Sequence, residues 1–362
     1  MNRSLTLDRA PAGAAVRPSL AQIADDKAML RAAADLTRDL SKPRPAIYWA
    51  DLIGSAVLGY GALIVAILAT STGIMVTAGI VAVLGLYRAM SFIHEVSHMK
   101  HASLPGFRTG WNALVGVPML IPSFMYEGVH NLHHAKTRYG TVEDPEYLPL
   151  ALMKPWTLPV FIVVSALAPV ALLFRYGILS PLSLLSSRLR TAVVERYSAL
   201  AINPQFRRRA PEGEAKALWN RIEAAASLWA IALLAMAATG VLSLRAFAII
   251  LVVAAAVAVL NQVRTLVAHL WENDGEPMTV TAQYLDTVNV PPPSLLPGLW
   301  APVGLRYHAL HHLIPSVPYH ALGEAHRRLT RLLEVESPYH KASYSGLPVL
   351  VGRIARSTML RR

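Results

Sequence analysis

The chain has 362 residues, 54% of them hydrophobic and only 15% charged, with a mean hydropathy of +0.40; this is too apolar for an ordinary soluble domain and points to a membrane protein. The formal net charge of +12 is better explained by basic loops against anionic lipid than by nucleic acid. Cysteine is absent, which excludes disulfides, thiolate zinc sites, iron–sulfur clusters and a cysteine nucleophile within the chain.

In chain order, residues 1–45 have basic residues but no apolar core of signal-peptide type, so they are expected to remain and to face the cytosol. Ser19 is a candidate cap for a helix reaching about Leu40, with Leu20, Ile23, Leu30 and Leu36 apolar and Asp25, Asp26, Arg31 and Arg38 polar. Four stretches, near 47–69, 73–92, 223–243 and 246–268, are long and apolar enough to cross a bilayer. Thr70, Ser71 and Thr72 separate the first pair and Ser243, Leu244 and Arg245 the second, so each pair reads as a helical hairpin. Those links hold a single Arg, whereas 1–45, 175–222 and 327–362 are rich in Lys and Arg. The bias places the long segments and both termini in the cytoplasm; a bacterial inner membrane is the expected location.

Two further apolar stretches, 111–126 and 156–174, carry Pro118, Pro122, Pro159 and Pro169. They read as interfacial or re-entrant, because a fifth crossing would strand the last histidine cluster on the opposite face. The expected fold is all-α, an integral membrane protein with four transmembrane helices in two hairpins and a cytoplasmic helical cap carrying the histidines. A single membrane domain at 46–330 lies between the N-terminal segment 1–45 and a basic tail, 331–362.

Nine of the thirteen histidines fall into three clusters. HEVSHMKH puts His94, His98 and His101 on one helical face, where the second crossing runs into the cytosol. HNLHH supplies His130, His133 and His134, and HALHH supplies His308, His311 and His312, each with i, i+3, i+4 spacing, so each cluster is expected to aim its rings at one point. His269 stands at the end of the fourth crossing. Nine or ten imidazoles exceed the four ligands of a tetrahedral zinc site. Two six-coordinate ions would use them and leave positions for water or O2; imidazole suits iron, whereas copper(I) would often recruit Cys or Met. Two irons fit the count best, with zinc left open by ligand chemistry.

Glu95, Glu127, Glu143, Asp144, Glu146, Glu272 and Asp274 stand near the clusters, either orienting imidazoles through the second ring nitrogen or as solvated loop residues. Asn261 and Gln262 are polar positions inside an apolar helix and mark a functional cavity. Arg264 reads as snorkelling to the headgroups. His326 and His340 read as solvated tail residues.

The order H-x3-H, H-x2-HH, H-x2-HH, interleaved with two membrane hairpins, resembles the membrane fatty acid desaturase family. GTVEDPEY at 140–147, RTLVAHLWENDGEP at 264–277 and HHLIPSVPYHAL at 311–322 resemble the flanks seen in bacterial acyl desaturases. The resemblance implies two irons, O2 as cosubstrate and an apolar tunnel for an acyl chain. It places the ligand roles on His94, His98, His130, His133, His134, His269, His308, His311 and His312. His101 joins them by its helical phase. His320 recurs in the family and reads as an outer hydrogen-bond partner or a folded-loop residue. No catalytic side chain beyond the ligands is expected.

The expected reaction is O2-dependent desaturation of a fatty acyl chain carried by lipid, CoA or a carrier protein. Lipid, alkane or carotenoid hydroxylation or ketolation at the same irons is the alternative; a histidine-rich metal transporter or sensor ranks below both. Without cysteines or an HPGG haem motif the chain needs a separate electron donor, ferredoxin-like or cytochrome b5-like, which a basic surface including Arg207, Arg208 and Arg209 could attract.

Overall fold

A computed structural model describes residues 20–359. Among the described residues there are helices and three isolated bridges but no strand. Ser19 lies outside the described residues. The helix expected from there to Leu40 forms in pieces: a 3-10 turn at Leu20–Gln22, then α1 (Lys27–Thr37). Asp26 caps α1 by accepting from the Met29 amide at 2.9 Å, while Asp25 accepts from the distant Thr281 amide at 3.0 Å.

Among the described residues, five helices are long and apolar enough to cross a membrane. The first two are α2 (Pro45–Leu68), opened by a proline where no amide is needed, and α3 (Thr72–His98). Lipid is as apolar as a leucine side chain, so helices in a bilayer associate through close packing at small residues. The α2–α3 seam follows this rule: a Cβ on Gly85 would stand 2.8 Å from the backbone of Gly59, and Ser55, Ala56, Ala82 and Ala89 are buried on the two helices.

The stretch 111–126 forms no crossing. α4 (Phe107–Trp111) runs into a π-helical turn, Asn112–Gly116, and a 3-10 turn, Ser123–Met125, before α5 (His130–His133). The Leu114 carbonyl accepts from the Tyr60 hydroxyl at 2.9 Å, and the Pro118 carbonyl accepts from Trp229 Nε1 at 3.0 Å. This segment therefore dips between the long helices and returns.

The stretch 156–174 departs from expectation. α6 (Thr157–Phe174) continues through a π-helical turn, Arg175–Leu179, into α7 (Ser180–Ser183), and these 27 residues are long and apolar enough to span. Pro159 falls in the first turn, where its missing amide costs nothing, and Pro169 is accommodated within the helix, so neither breaks it.

α8 (Ser187–Tyr197) then leads to α9 (Gly213–Ala238) and α10 (Leu244–Ala268). α6 packs along α10, and its π-helical turn packs against α9. Arg175 there pairs with Glu223 of α9 at 2.8 Å. At the start of α10, Arg245 donates to the Ile67 and Ala69 carbonyls at 2.5 and 2.7 Å. The tips of the two helix pairs thus lie side by side, at the end opposite His98 and His269.

The remaining chain caps the end that carries His98 and His269 with α11 (Val280–Asp286), α12 (Pro297–Trp300), α13 (His308–Leu313), α14 (Leu322–Leu332) and α15 (Leu347–Met359). The last part of the chain is not a loose tail as far as it is described, because Leu350 of α15 is buried with Val267, Val288 and Val290. His326 is not solvated either: it is buried, with Nδ1 2.8 Å from the Tyr339 hydroxyl. His340 is half-buried and bonds the Glu334 carbonyl at 3.1 Å.

Candidate metal centre

Each histidine is delivered by a helix end. His94 and His98 lie one turn apart at the end of α3; α5 carries His130 and His133, with His134 just beyond; α13 carries His308, His311 and His312. His269 leaves α10 in extended conformation. Nine imidazoles converge as two sets, in each of which the candidate ligand atoms lie within 4.8 Å of one another. One set is His94, His98, His130, His134 and His311; the other is His133, His269, His308 and His312.

The expectation that each cluster serves one point is corrected by this partition. Positions four apart share a helix face whereas the residue between them points elsewhere. His130 and His134 therefore join one set and His133 the other; His308 and His312 part from His311 in the same way. The sets adjoin, with the rings of His134 and His312 stacked 4.1 Å apart.

The donor chemistry fits metal ions. Nε2 atoms meet at 3.0 Å between His130 and His134, His98 and His311, and His269 and His308. Burial, reinforced by the neighbouring rings, holds His130, His134, His308, His311 and His312 well below the usual imidazole pKa. For His269 the causes are burial, His133 and Arg264. Neutral imidazoles aiming lone pairs at shared points are matched by cations. Both ring nitrogens of His94 are buried without a hydrogen-bond partner, as expected of a side chain whose partner is an ion.

Three rings are oriented from behind. His133 Nδ1 is 2.9 Å from Asp144, and His130 Nδ1 is 2.8 Å from both Glu146 and the Tyr126 hydroxyl. His269 Nδ1 is 2.9 Å from the Tyr139 hydroxyl, which donates to Asp286 at 2.8 Å. Burial pushes the Glu146 and Asp286 carboxyls up to about 7. Burial opposes protonation of His133, but Asp144, Glu146 and Asp286 outweigh it and raise its pKa. Asp144 and Glu146 were legible candidates; Tyr126, Tyr139 and Asp286 were not singled out, since they belong to no histidine pattern.

Other candidates lie apart. α3 ends at His98 with Met99 as cap, so the helical phase that linked His101 to the cluster does not continue. His101 is 46% exposed in side chain and sits 3.2 Å from Glu127. Glu95 is buried but bonds the Tyr48 hydroxyl and the Tyr319 amide, tying α2 and α3 to the cap. His320 accepts from the Arg44 amide at 3.1 Å. Glu143 faces Arg138, Glu272 faces Arg353, and Asp274 is exposed. Asn261 lies beside Arg264, and Gln262 Nε2 is buried without a partner. Arg208 is held by the Ser198 and Glu127 carbonyls and lies over Trp219, leaving Arg207 and Arg209 as the exposed charges of that trio.

A helical protein with five bilayer-length helices and nine imidazoles gathered at one end is a membrane protein built around a candidate metal centre. Residues 71–346 match the fatty acid desaturase family. The chain is 47% identical over 337 residues, 93% of its length and 96% of the relative's, to a ceramide hydroxylase of Caulobacter vibrioides (strain NA1000 / CB15N). It belongs to the fatty acid desaturase family. No solved structure matches it.

Proposed function

We propose that this protein is a membrane hydroxylase that inserts one oxygen atom from O2 into a ceramide-like lipid at a two-iron centre. The observation that carries the reading is the 47% likeness to a ceramide hydroxylase along nearly the whole chain, joined to a nine-imidazole centre. It moves the expected chemistry from desaturation to the hydroxylation first weighed as its alternative. One C–H bond becomes C–OH, and O2, two electrons and two protons are consumed with release of one water. A separate redox protein supplies the electrons.

His94, His98, His130, His134 and His311 would hold one iron, and His133, His269, His308 and His312 the other. Bound there, the irons supply the reductive activation of O2. The chain's own work is orientation: Asp144, Glu146 and Tyr139 engage Nδ1 of His133, His130 and His269 and turn each Nε2 inward.

We place the centre on the cytoplasmic side, with α6 re-entrant. The chain is tied to the histidine end on both flanks of α6: the Ala151 amide donates to the Trp271 carbonyl, and the Leu200 and Ile202 amides donate to the Met125 and Pro145 carbonyls. Among 184–203 no helix is long enough to return across a bilayer.

Desaturation is the second reading, favoured by the family match itself. Incubating the purified protein with ceramide, iron and a reducing partner and weighing the product decides: hydroxylation adds one oxygen, desaturation removes two hydrogens, and an unchanged ceramide contradicts the proposal.

A further inference from the structure

α10 carries a charged residue, Arg264, four residues before its end at Ala268. Arg264 lies five residues before His269, about 7.5 Å along a helix. Its side chain is part-buried. Its Nε is buried without a hydrogen-bond partner, its Nη2 reaches only Asn261 Oδ1 at 3.4 Å, and among the described residues no carboxylate lies within the 4.0 Å of an ion pair. An unpaired guanidinium between bilayer-length helices is costly and points to a function. It lies near the Tyr87 hydroxyl of α3. The guanidinium therefore lies on the membrane side of the imidazoles.

The same place meets the lipid. The Tyr87 hydroxyl donates to the Trp300 carbonyl at 2.9 Å, and α12 packs against both α3 and α10. Around α12, Leu295, Leu296 and Leu299 are 86%, 67% and 52% exposed. Apolar side chains displayed by a segment seated on two membrane helices suit immersion in a bilayer, from which a lipid substrate must approach sideways.

We propose that Arg264, backed by Asn261 and Tyr87, binds an oxygen of the substrate's polar head, its amide carbonyl or a hydroxyl, and so presents the carbons next to that head to the imidazole centre. A guanidinium offers five donors and no acceptor, which complements a neutral head rich in acceptor oxygens. With the head held about one to two helical turns from His269, the new hydroxyl enters within a few carbons of the amide rather than in mid-chain. This positioning role rests on the ceramide reading above.

The test uses the full-length, iron-loaded protein in lipid nanodiscs, as wild type, R264K and R264M. It reads bound iron, affinity for ceramide without reductant, and the position of the new hydroxyl by fragmentation mass spectrometry. The expected result is unchanged iron in all three, a ceramide affinity lower by about ten- to a hundredfold in R264M, as for loss of a charge-assisted hydrogen bond, and a smaller loss in R264K. The hydroxyl should spread along the chain in R264M. If R264M binds ceramide like the wild type, hydroxylates the same carbon or loses its iron, the positioning role is overturned while the ceramide reading stands. If the wild type instead oxidises only lipids without an amide or hydroxyl head, the ceramide reading falls and this role with it.

Discussion

His133 Nδ1 lies 2.9 Å from Asp144, with the histidine side chain 1% exposed and the aspartate fully buried. Asp144 also accepts from the Gly140 and Glu146 amides at 2.8 Å, so the carboxylate is fixed before it fixes the imidazole. Asp144→Asn keeps the shape but weakens the hold on the ring. Losses of about ten- to a hundredfold in metal affinity accompany such changes. Titration of the apoprotein with iron should show weakened binding in the His133 set and little change in the other; equal binding in both would argue against the assigned roles.

His98 and His101 stand three positions apart but in different surroundings. His98→Ala should lose iron and activity, whereas His101→Ala, altering a half-exposed residue beside Glu127, should retain both irons and most turnover. Iron per chain, measured by plasma mass spectrometry, separates the two. Loss of iron in His101→Ala would return that residue to the ligand set.

Gly85 packs on Gly59 so closely that an added methyl group would meet backbone at 2.8 Å, whereas Gly79 of the same helix has open space at its Cβ position. Gly85→Ala should destabilise the fold by about 1–3 kcal/mol through overpacking, and Gly79→Ala should leave it unchanged. Thermal unfolding in detergent provides the comparison.

The absence of cysteine makes single-cysteine labelling straightforward. Ser187→Cys, after α7, and Glu336→Cys, after α14, are both at exposed positions, as is Val241→Cys at the α9–α10 tip. With α6 re-entrant, an impermeant maleimide should label Ser187→Cys and Glu336→Cys from one side and Val241→Cys from the other. Ser187→Cys labelling together with Val241→Cys would make α6 a true crossing.

Much of the centre was legible because i, i+3, i+4 histidines leave a pattern that composition cannot imitate. Their division into two sets was not, since it depends on how α3, α5 and α13 are turned toward one another. The Tyr139–Asp286 pair spans 147 positions of sequence, a separation no local motif reports. His101 lies beyond the end of α3 at His98, a helix end that nothing in HEVSHMKH reveals. The length of α6 was masked by Pro159 and Pro169, which a helix tolerates in its first turn and inside protein packing respectively.

The central claim, oxygen insertion into a ceramide-like lipid, is tested most directly by supplying heavy-isotope O2 to the iron-loaded protein with ceramide and an electron donor, then analysing the lipid by mass spectrometry. Hydroxylation gives a product carrying one heavy oxygen atom, absent in His133→Ala. A product lacking two hydrogens and carrying no heavy oxygen would contradict it and restore desaturation as the reaction.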